Sequence, residues 1–440
     1  MLADVAARPA SGLKPTSARH WVVVFAISLA LICYTDRVII AQAASNIQSD
    51  LGLSRVQMGW VFFIFSWAYT VFEVPGGWMG DRWGAKSVLL RVVTLWSFFT
   101  AATGWAWSYA SMLVCRFLFG VGEAGGFPNL AKAFTHWLPG RERVRAQGLM
   151  WFAARWGGAI TPWLVVLLLE HVSWRHAFEI FGVLGLVWGA FFYFWFRNDP
   201  SDHPAVNAAE LALIREGKED AGEAREPTPW RDIFGSRSVL LLWLQYFLLS
   251  YGWWFYIQWL PTYLKEARGF ALPKDAGAGA LLAGLPLFLG GIGCWVSGVV
   301  QPRLARRFGG TARVRKALGF FGLAGAGSFL LLSIQLENPY WAMLAMGLAS
   351  FANDLTVPVA WATCMDLGGK HTGTVAGGMN TGGAGGGMVA GPMVAYLLKF
   401  SNDNWNVPLY VASAAYFAGM LCWLAIDPVT PIGRRHHLKQ

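Results

Sequence analysis

Long apolar runs recur along the chain at 21–43, 57–79, 88–108, 110–131, 147–169 and 176–196. A polar stretch at 197–238 interrupts them. They resume at 239–263, 277–300, 315–335, 339–364, 373–398 and 405–427. Each run is close to the roughly 20 apolar residues that carry a helix across a bilayer. The pattern predicts an all-α membrane protein with twelve transmembrane helices in two six-helix bundles. It divides the chain into a tail at 1–19, a six-helix unit at 20–197, a linker at 198–238, a second unit at 239–428 and a tail at 429–440. In the linker, Asn198-Asp199-Pro200 stops the sixth run, and 208–216 reads as a short amphipathic helix on the membrane surface.

Composition agrees with this division. Of 440 residues, 55% are hydrophobic and 14% charged, against about 25% charged in a soluble domain. The net charge of +10 would suit a nucleic-acid partner, but Lys and Arg follow topology instead. With the N-terminus in the cytoplasm, that side carries basic residues in every loop, among them Arg19, Lys86, Arg141, Arg197, Arg306 and Lys370, and the tail adds Arg434, Arg435 and Lys439. The opposite side holds only Arg55, Arg175, Lys265, Arg268, Lys274 and Lys399. The bias places both termini in the cytoplasm, explains the basic charge and removes nucleic acid as a partner. The five cysteines have no paired spacing and fall in or at the ends of apolar runs, where they read as packing residues. The first run is long and ends in functional polar residues, so it reads as a retained span, not a cleaved leader.

The chain also repeats itself. Residues 146–168 laid on 376–398 match at Ala146/Ala376, Gly148/Gly378, Ala154/Ala384, Gly157/Gly387, Pro162/Pro392, Leu167/Leu397 and Leu168/Leu398. These are the fifth and eleventh runs, six apart, the relation expected of two parallel transporter halves.

Charged residues inside apolar runs carry the chemistry, because each costs at least about 2.5–3.5 kcal/mol at mid-helix. The first run holds Tyr34, Asp36 and Arg37; on one reading they face the interior, on the other Arg37 snorkels outward and Asp36 pairs with it. The fourth holds Arg116 and Glu123, two turns apart on one helix face, then Gly125-Gly126-Phe127-Pro128, a close-packed and kinked segment. An arginine anchors an anion and a carboxylate titrates, so this pair either exchanges a proton for substrate charge or is a structural ion pair. Tyr69 and Glu73 share a face of the second run. Glu73 is a third titrating group or a solvated one near the helix end. Arg155, in the fifth run, either answers a second substrate carboxylate or neutralises Glu73 or Glu123. In the second half Gln258, Asn353 and Asn380 supply neutral hydrogen-bonding groups, and Asp354 reads as structural. Between the second and third runs, Gly80-Asp81-Arg82-Trp83-Gly84-Ala85-Lys86 forms a tight turn whose charges can pair across a gate.

That last motif resembles the signature of the major facilitator superfamily at this loop. The run from Arg116 to Pro128 resembles the anion:cation symporter branch, which includes bacterial galactonate, hexuronate and glucarate permeases. Matches at Asp36-Arg37, Tyr69, Pro75 to Trp78, Trp174-Arg175, Trp259 to Leu264 and Asn353-Asp354 extend the likeness over essentially the whole chain. The resemblance implies that Arg37 and Arg116 hold a substrate carboxylate, that Tyr69 hydrogen-bonds it, and that Asp36 and Glu123 carry coupled protons. It also implies a gate at Gly80, Asp81, Arg82 and Gly84.

The expectation is a proton-coupled symporter in the inner (plasma) membrane that imports an organic anion, a sugar acid foremost, by rocker-switch alternating access. A monomer suffices. No cofactor or metal is expected: Gly385 to Ala390 fits a dinucleotide fingerprint formally but sits inside an apolar run, and His436-His437 is at best a weak metal site. No nucleophile–base arrangement suggests an enzyme, and no phosphate-loop signature suggests an ATP-driven pump. Three rivals remain. A phosphate-ester transporter would be expected to bring an arginine from the seventh run, and 239–263 contains no Lys or Arg. An exporter of cationic drugs would meet three arginines. A non-transporting membrane sensor on the same fold would bind the anion without moving it. Aromatic carboxylates stay open as substrates.

Overall fold

The structure, a computed structural model, describes residues 14–216, 227–269 and 276–432. Arg8, most of the Glu/Lys-rich part of the linker, Lys274 and the tail with Arg434, Arg435, His436-His437 and Lys439 lie outside the described residues. Among the described residues there is no strand. The first half comprises α1 (Ala18–Gln42), α2 (Ala44–Leu51), α3 (Arg55–Trp83), α4 (Ala85–Gly104), α5 (Tyr109–Glu123), α6 (Gly126–Trp137), α7 (Gly140–Leu169) and α8 (Trp174–Trp195). The linker forms α9 (Ala208–Arg215) and α10 (Trp230–Gly235). The second half comprises α11 (Arg237–Gln258), α12 (Leu260–Arg268), α13 (Ala276–Arg307), α14 (Thr311–Gln335), α15 (Pro339–Gly368), α16 (Thr372–Phe400) and α17 (Asn406–Ala425).

Twelve spans follow from these helices. The fourth is α5 and α6 together, and α2, α9, α10 and α12 are too short to cross. The stretch Pro339–Phe400 is apolar over 62 residues, about 90 Å if it ran straight at 1.5 Å per residue, three bilayer cores. It instead turns back at Gly369, whose φ of +50° suits only glycine at low cost. Large side chains such as Phe191, Phe194, Phe321 and Phe400 are exposed on the outer faces of the spans, as lipid contact requires.

The packing repeats as the sequence does. In the first half α1 packs on α7, α3 and α4 on α5, and α4 on α8; in the second, α11 packs on α16, α13 and α14 on α15, and α14 on α17. Each pair recurs six spans later. The halves meet along α3 with α16 and α7 with α13, again one contact and its counterpart. Small residues make these contacts close, as expected where lipid supplies no hydrophobic drive. A Cβ on Gly77 would sit 2.0 Å from the Gly373 carbonyl oxygen, and one on Gly148 2.6 Å from that of Cys294.

The linker is pinned to the first half. Glu210 of α9 is fully buried. It accepts from the backbone N–H groups of Ala18 (3.3 Å) and Arg19 (3.1 Å) and from the Arg19 guanidinium (3.0 Å). A carboxylate thus caps the start of α1, where free N–H groups and the helix dipole favour negative charge. Arg19 also pairs with Glu142 of α7 at 2.9 Å. His203 is wedged against Trp137 and Trp195, and burial there pushes its imidazole below the usual histidine range.

Replacing Glu210 by Ala leaves a buried arginine and two amides short of an acceptor. The expected loss is about 3 kcal/mol, read as a lower Tm of the purified protein in detergent. An unchanged Tm would mean the linker helix is only resting on the bundle.

Candidate functional site

The charged groups of the membrane interior gather around a break in the fourth span. α5 ends at Glu123, Ala124 is extended, and Gly125 takes φ +87° before α6 begins. The kink expected at Gly125 to Pro128 is therefore a full interruption, with Pro128 in the first turn of α6, where a missing N–H costs nothing. The break is backed tightly by the second span: a Cβ on Gly125 would lie 2.7 Å from Cα of Gly76. It turns the Gly125 N–H toward Glu73, whose Oε2 accepts it at 3.3 Å. Glu73 is fully buried and not solvated. Its Oε1 accepts from Asn380 of α16 at 2.9 Å, and the same amide donates to the Tyr69 hydroxyl at 2.8 Å. Tyr69, Glu73 and Asn380 therefore form one unit across the two halves.

Arg37 reaches inward, not out to the interface. Its Nε lies 2.7 Å from Oε1 of Glu123, and its guanidinium rests 4.5 Å from the Tyr69 ring centre and 5.7 Å from that of Tyr34. Asp36 is buried separately: Oδ2 accepts from the Trp96 indole N–H at 2.5 Å, and Oδ1 has no protein partner. Glu123 therefore pairs with Arg37 of the first span, while Arg116 of its own helix is buried against Phe65 and Phe119. Arg116 Nε, Arg37 Nη2 and Glu123 Oε2 are buried without a protein partner. Unsatisfied buried polar atoms are costly, and two donors and an acceptor left open together mark a place for an added group. A small void lined by Cys33, Trp96, Glu123 and Phe127 lies beside this carboxylate.

Arg155 neutralises neither Glu73 nor Glu123. It pairs with Asp354 of α15 through Nε at 2.7 Å and Nη2 at 3.1 Å. Asn353, beside it, donates to Asp354 at 2.8 Å. Gln258 sits at the exposed last position of α11 and donates to the Gly387 carbonyl at 3.4 Å, outside the charged cluster. Sequence spacing gave no sign of Trp96, whose indole N–H meets Asp36, or of Trp253, whose ring face lies 3.9 Å from the Arg155 guanidinium. A separate surface depression, lined by Ser45, Asn46, Ser49, Asp50 and Ser173 to Arg175, lies beyond the cluster, around the Asp50–Arg175 ion pair.

The Gly80–Lys86 turn lies at the end of the bundle that carries the basic loops. There Asp81 takes Lys132 of α6 at 2.7 Å and crosses to α16, accepting from Gly373 N (2.9 Å), Thr374 N (2.6 Å) and Thr374 Oγ1 (2.7 Å). Lys132 also donates to the Lys370 carbonyl at 3.0 Å. Arg143 of α7 and Arg315 of α14 share Asp366 of α15 at 2.6 and 2.7 Å. Gly80 makes room for the Asn129 side chain, and Gly84, at φ +85°, for Asn198. Arg82 is exposed and lies 5.6 Å from the Trp78 ring. Among the described residues, the bonds that join the halves run from this clasp to the middle of the membrane, where Thr70 meets Thr381 and Met388 and the Trp156 indole N–H donates to the Phe288 carbonyl at 3.3 Å.

Comparison with known proteins settles the class. Residues 26–391 match the Major Facilitator Superfamily. The chain belongs to that superfamily. It is 37% identical over 418 residues to the probable sulfoacetate transporter SauU of Cupriavidus necator, covering 94% of this chain and 95% of that one. It is 28% identical to the probable galactarate/D-glucarate transporter GudP of Escherichia coli K12 over 94% of each. The D-galactonate transporter of another E. coli strain shares 26% over 97% and 99%. The solved human organic anion transporter MFSD10 superposes with a TM-score of 0.68 at 15% identity, over 92% of this chain and 99% of that one; it bears on the fold. The protein is a multi-pass membrane transporter of this superfamily and not an enzyme.

The clasp makes one expectation concrete. Asp81→Ala removes the ion pair to Lys132 within the first half and the three acceptor bonds to α16 of the other half, and Gly77→Val wedges α3 from α16. Both variants should lengthen the electron–electron resonance distance between spin labels at Gly140 and Phe308. A distribution matching the parent in both would count against a closed clasp.

Proposed function

We propose that this transporter imports a small organic anion together with protons, with its basic end in the cytoplasm. The observation that carries the reading is the Arg37–Glu123 pair at 2.7 Å, beside the open donors of Arg37 and Arg116. An internal carboxylate occupies the arginine that an anion would need. A proton on Glu123 releases that arginine; loss of the proton reclaims it and expels the anion. Substrate and proton then shift the same two-state equilibrium, which is what coupling requires.

Charge balance supports the same order of events. The interior holds Arg37, Arg116 and Arg155 against Asp36, Glu73, Glu123 and Asp354, one negative charge in excess when all are ionised. An arriving anion adds another. Two like charges 4 Å apart repel by about 4 kcal/mol at an effective dielectric constant of 20, so the anion is admitted only with protons. Asp36 and Glu123, each with an unpartnered oxygen, are the proton carriers on this reading. Arg37, Arg116 and Tyr69 hold the anion, and Glu73 with Asn380 couples α3 to α16. The cytoplasmic clasp is closed and the bonds between halves end at mid-membrane, which suits loading from the outside. The relatives named for sulfoacetate, galactarate, glucarate and galactonate set the first substrates to try, sugar acids and a short sulfonated acid.

The test is uptake into proteoliposomes under an imposed inward proton gradient, with and without a protonophore, using those four acids and glucuronate. Protonophore-sensitive accumulation of at least one is expected. Glu123→Gln should keep exchange of internal for external substrate and lose gradient-driven accumulation about tenfold or more. Full accumulation by this variant would remove Glu123 from the coupling. Binding without accumulation in the parent would instead describe a sensor.

A further inference from the structure

Arg155 and Asp354 form a buried ion pair that the Arg37–Glu123 exchange does not use. Their side chains are 5% and 0% exposed, and they join α7 of one half to α15 of the other. A buried pair of this kind is poor evidence for stability, because desolvation of both charges offsets most of the attraction. Its surroundings look built for a change of partner. The guanidinium lies 3.9 Å from the Trp253 ring centre. Its Nη1 reaches only the Tyr34 hydroxyl, at 3.5 Å, long for a hydrogen bond. The Tyr34 ring also lies 5.7 Å from the Arg37 guanidinium, so one tyrosine touches both arginines. On the other side, Asn353 already holds Asp354 by one bond, and its own Oδ1 is buried without a partner. Glycine at 290 leaves space against Asp354 Oδ2, where a Cβ would stand at 2.6 Å.

We propose that Arg155 is the second anchor for a doubly charged substrate, and that Asp354 stands in for that substrate's second acid group while the site is empty. This rests on the reading of the protein as an organic-anion transporter and narrows it to acids with two anionic groups. The two-point contact of Asp354 is the contact a carboxylate or sulfonate presents to an arginine. When the dianion arrives, one end takes Arg37 from Glu123 and engages the open donor of Arg116. The other takes Arg155 from Asp354, which accepts a proton from the outside and stays on Asn353. The titratable and charged groups that act on this pair are Tyr34 of α1, Cys294 of α13, Tyr246 and Tyr256 of α11 and Tyr416 of α17. None of them brings a second carboxylate to the pair, so Asp354 is the group that must give way. A monoanion leaves Arg155 with Asp354 and uses half of the site.

The experiment compares galactarate with galactonate, which share a carbon skeleton and differ in the second acid group, with sulfoacetate as a short dianion. The parent protein should transport a dianion with a kcat/KM at least about tenfold above galactonate. It should also gain a larger rise in Tm in detergent from the dianion. The double variant Arg155→Gln/Asp354→Asn keeps the net charge of the interior and leaves no orphaned ion. It should lose the dianion preference about tenfold or more while galactonate uptake stays within about threefold of the parent. The inference is overturned if the parent moves galactonate as well as either dianion, or if the double variant keeps the parent's preference. In both cases organic-anion transport stands. Should the double variant not fold, the parent's own rate ratio and Tm shifts decide the question. If the parent takes up no anion of either kind, organic-anion transport falls first and the dianion reading with it.

Discussion

A charge placed in the middle of a bilayer has to find a partner, and much of this structure follows from that demand. Among the described residues, seven acidic and basic side chains lie in the interior. Water would screen them cheaply at a surface; here each must be met by protein. Glu73 is met by an amide, a backbone N–H and a broken helix. Asp36 is met by an indole. Arg37 is met by Glu123 and a set of aromatic rings. The break between α5 and α6 is part of the same solution, since an intact helix would have kept the Gly125 N–H for itself. The glycines backing the break let the second and fourth spans come close enough to complete it. An interior satisfied this completely would be inert. Leaving a few donors and acceptors open beside one another is what makes it a site.

The architecture was legible because it is written in local terms. Run length gave the spans, loop charge gave a consistent sidedness, and small residues at matching offsets gave the duplication that α7 and α16 display. The broken fourth span was visible as Gly125-Gly126-Phe127-Pro128, whose backbone needs have few other solutions. Charged residues inside apolar runs announced themselves through their cost.

Partnership was not legible. Arg155 and Asp354 are far apart in sequence and in different halves, and no spacing rule connects them. The sequence offered a substrate carboxylate, Glu73 or Glu123 as the partner of Arg155, and read Asp354 only as structural. Arg116 and Glu123, two turns apart on one face, invited a pair that folding did not make, because Arg37 approaches Glu123 from another helix. Trp96 and Trp253 were two among many tryptophans until neighbouring spans brought them against charge. Burial of Glu73 was undecidable for the same reason: the depth of a side chain depends on a helix from the other half.

The docking of α9 bears on how such a chain could be divided. Because Glu210 completes the start of α1, the first half ends, in physical terms, after the linker helix and not at the last residue of its sixth span. A protein split just beyond Arg215 hands the first fragment its own cap. A split ahead of Ala208 gives that cap to the wrong fragment and leaves Arg19 facing the basic surface with one carboxylate instead of two. Anyone wishing to express the halves separately, or to swap them between relatives, has the boundary fixed by a hydrogen-bonded carboxylate and not by the hydropathy profile.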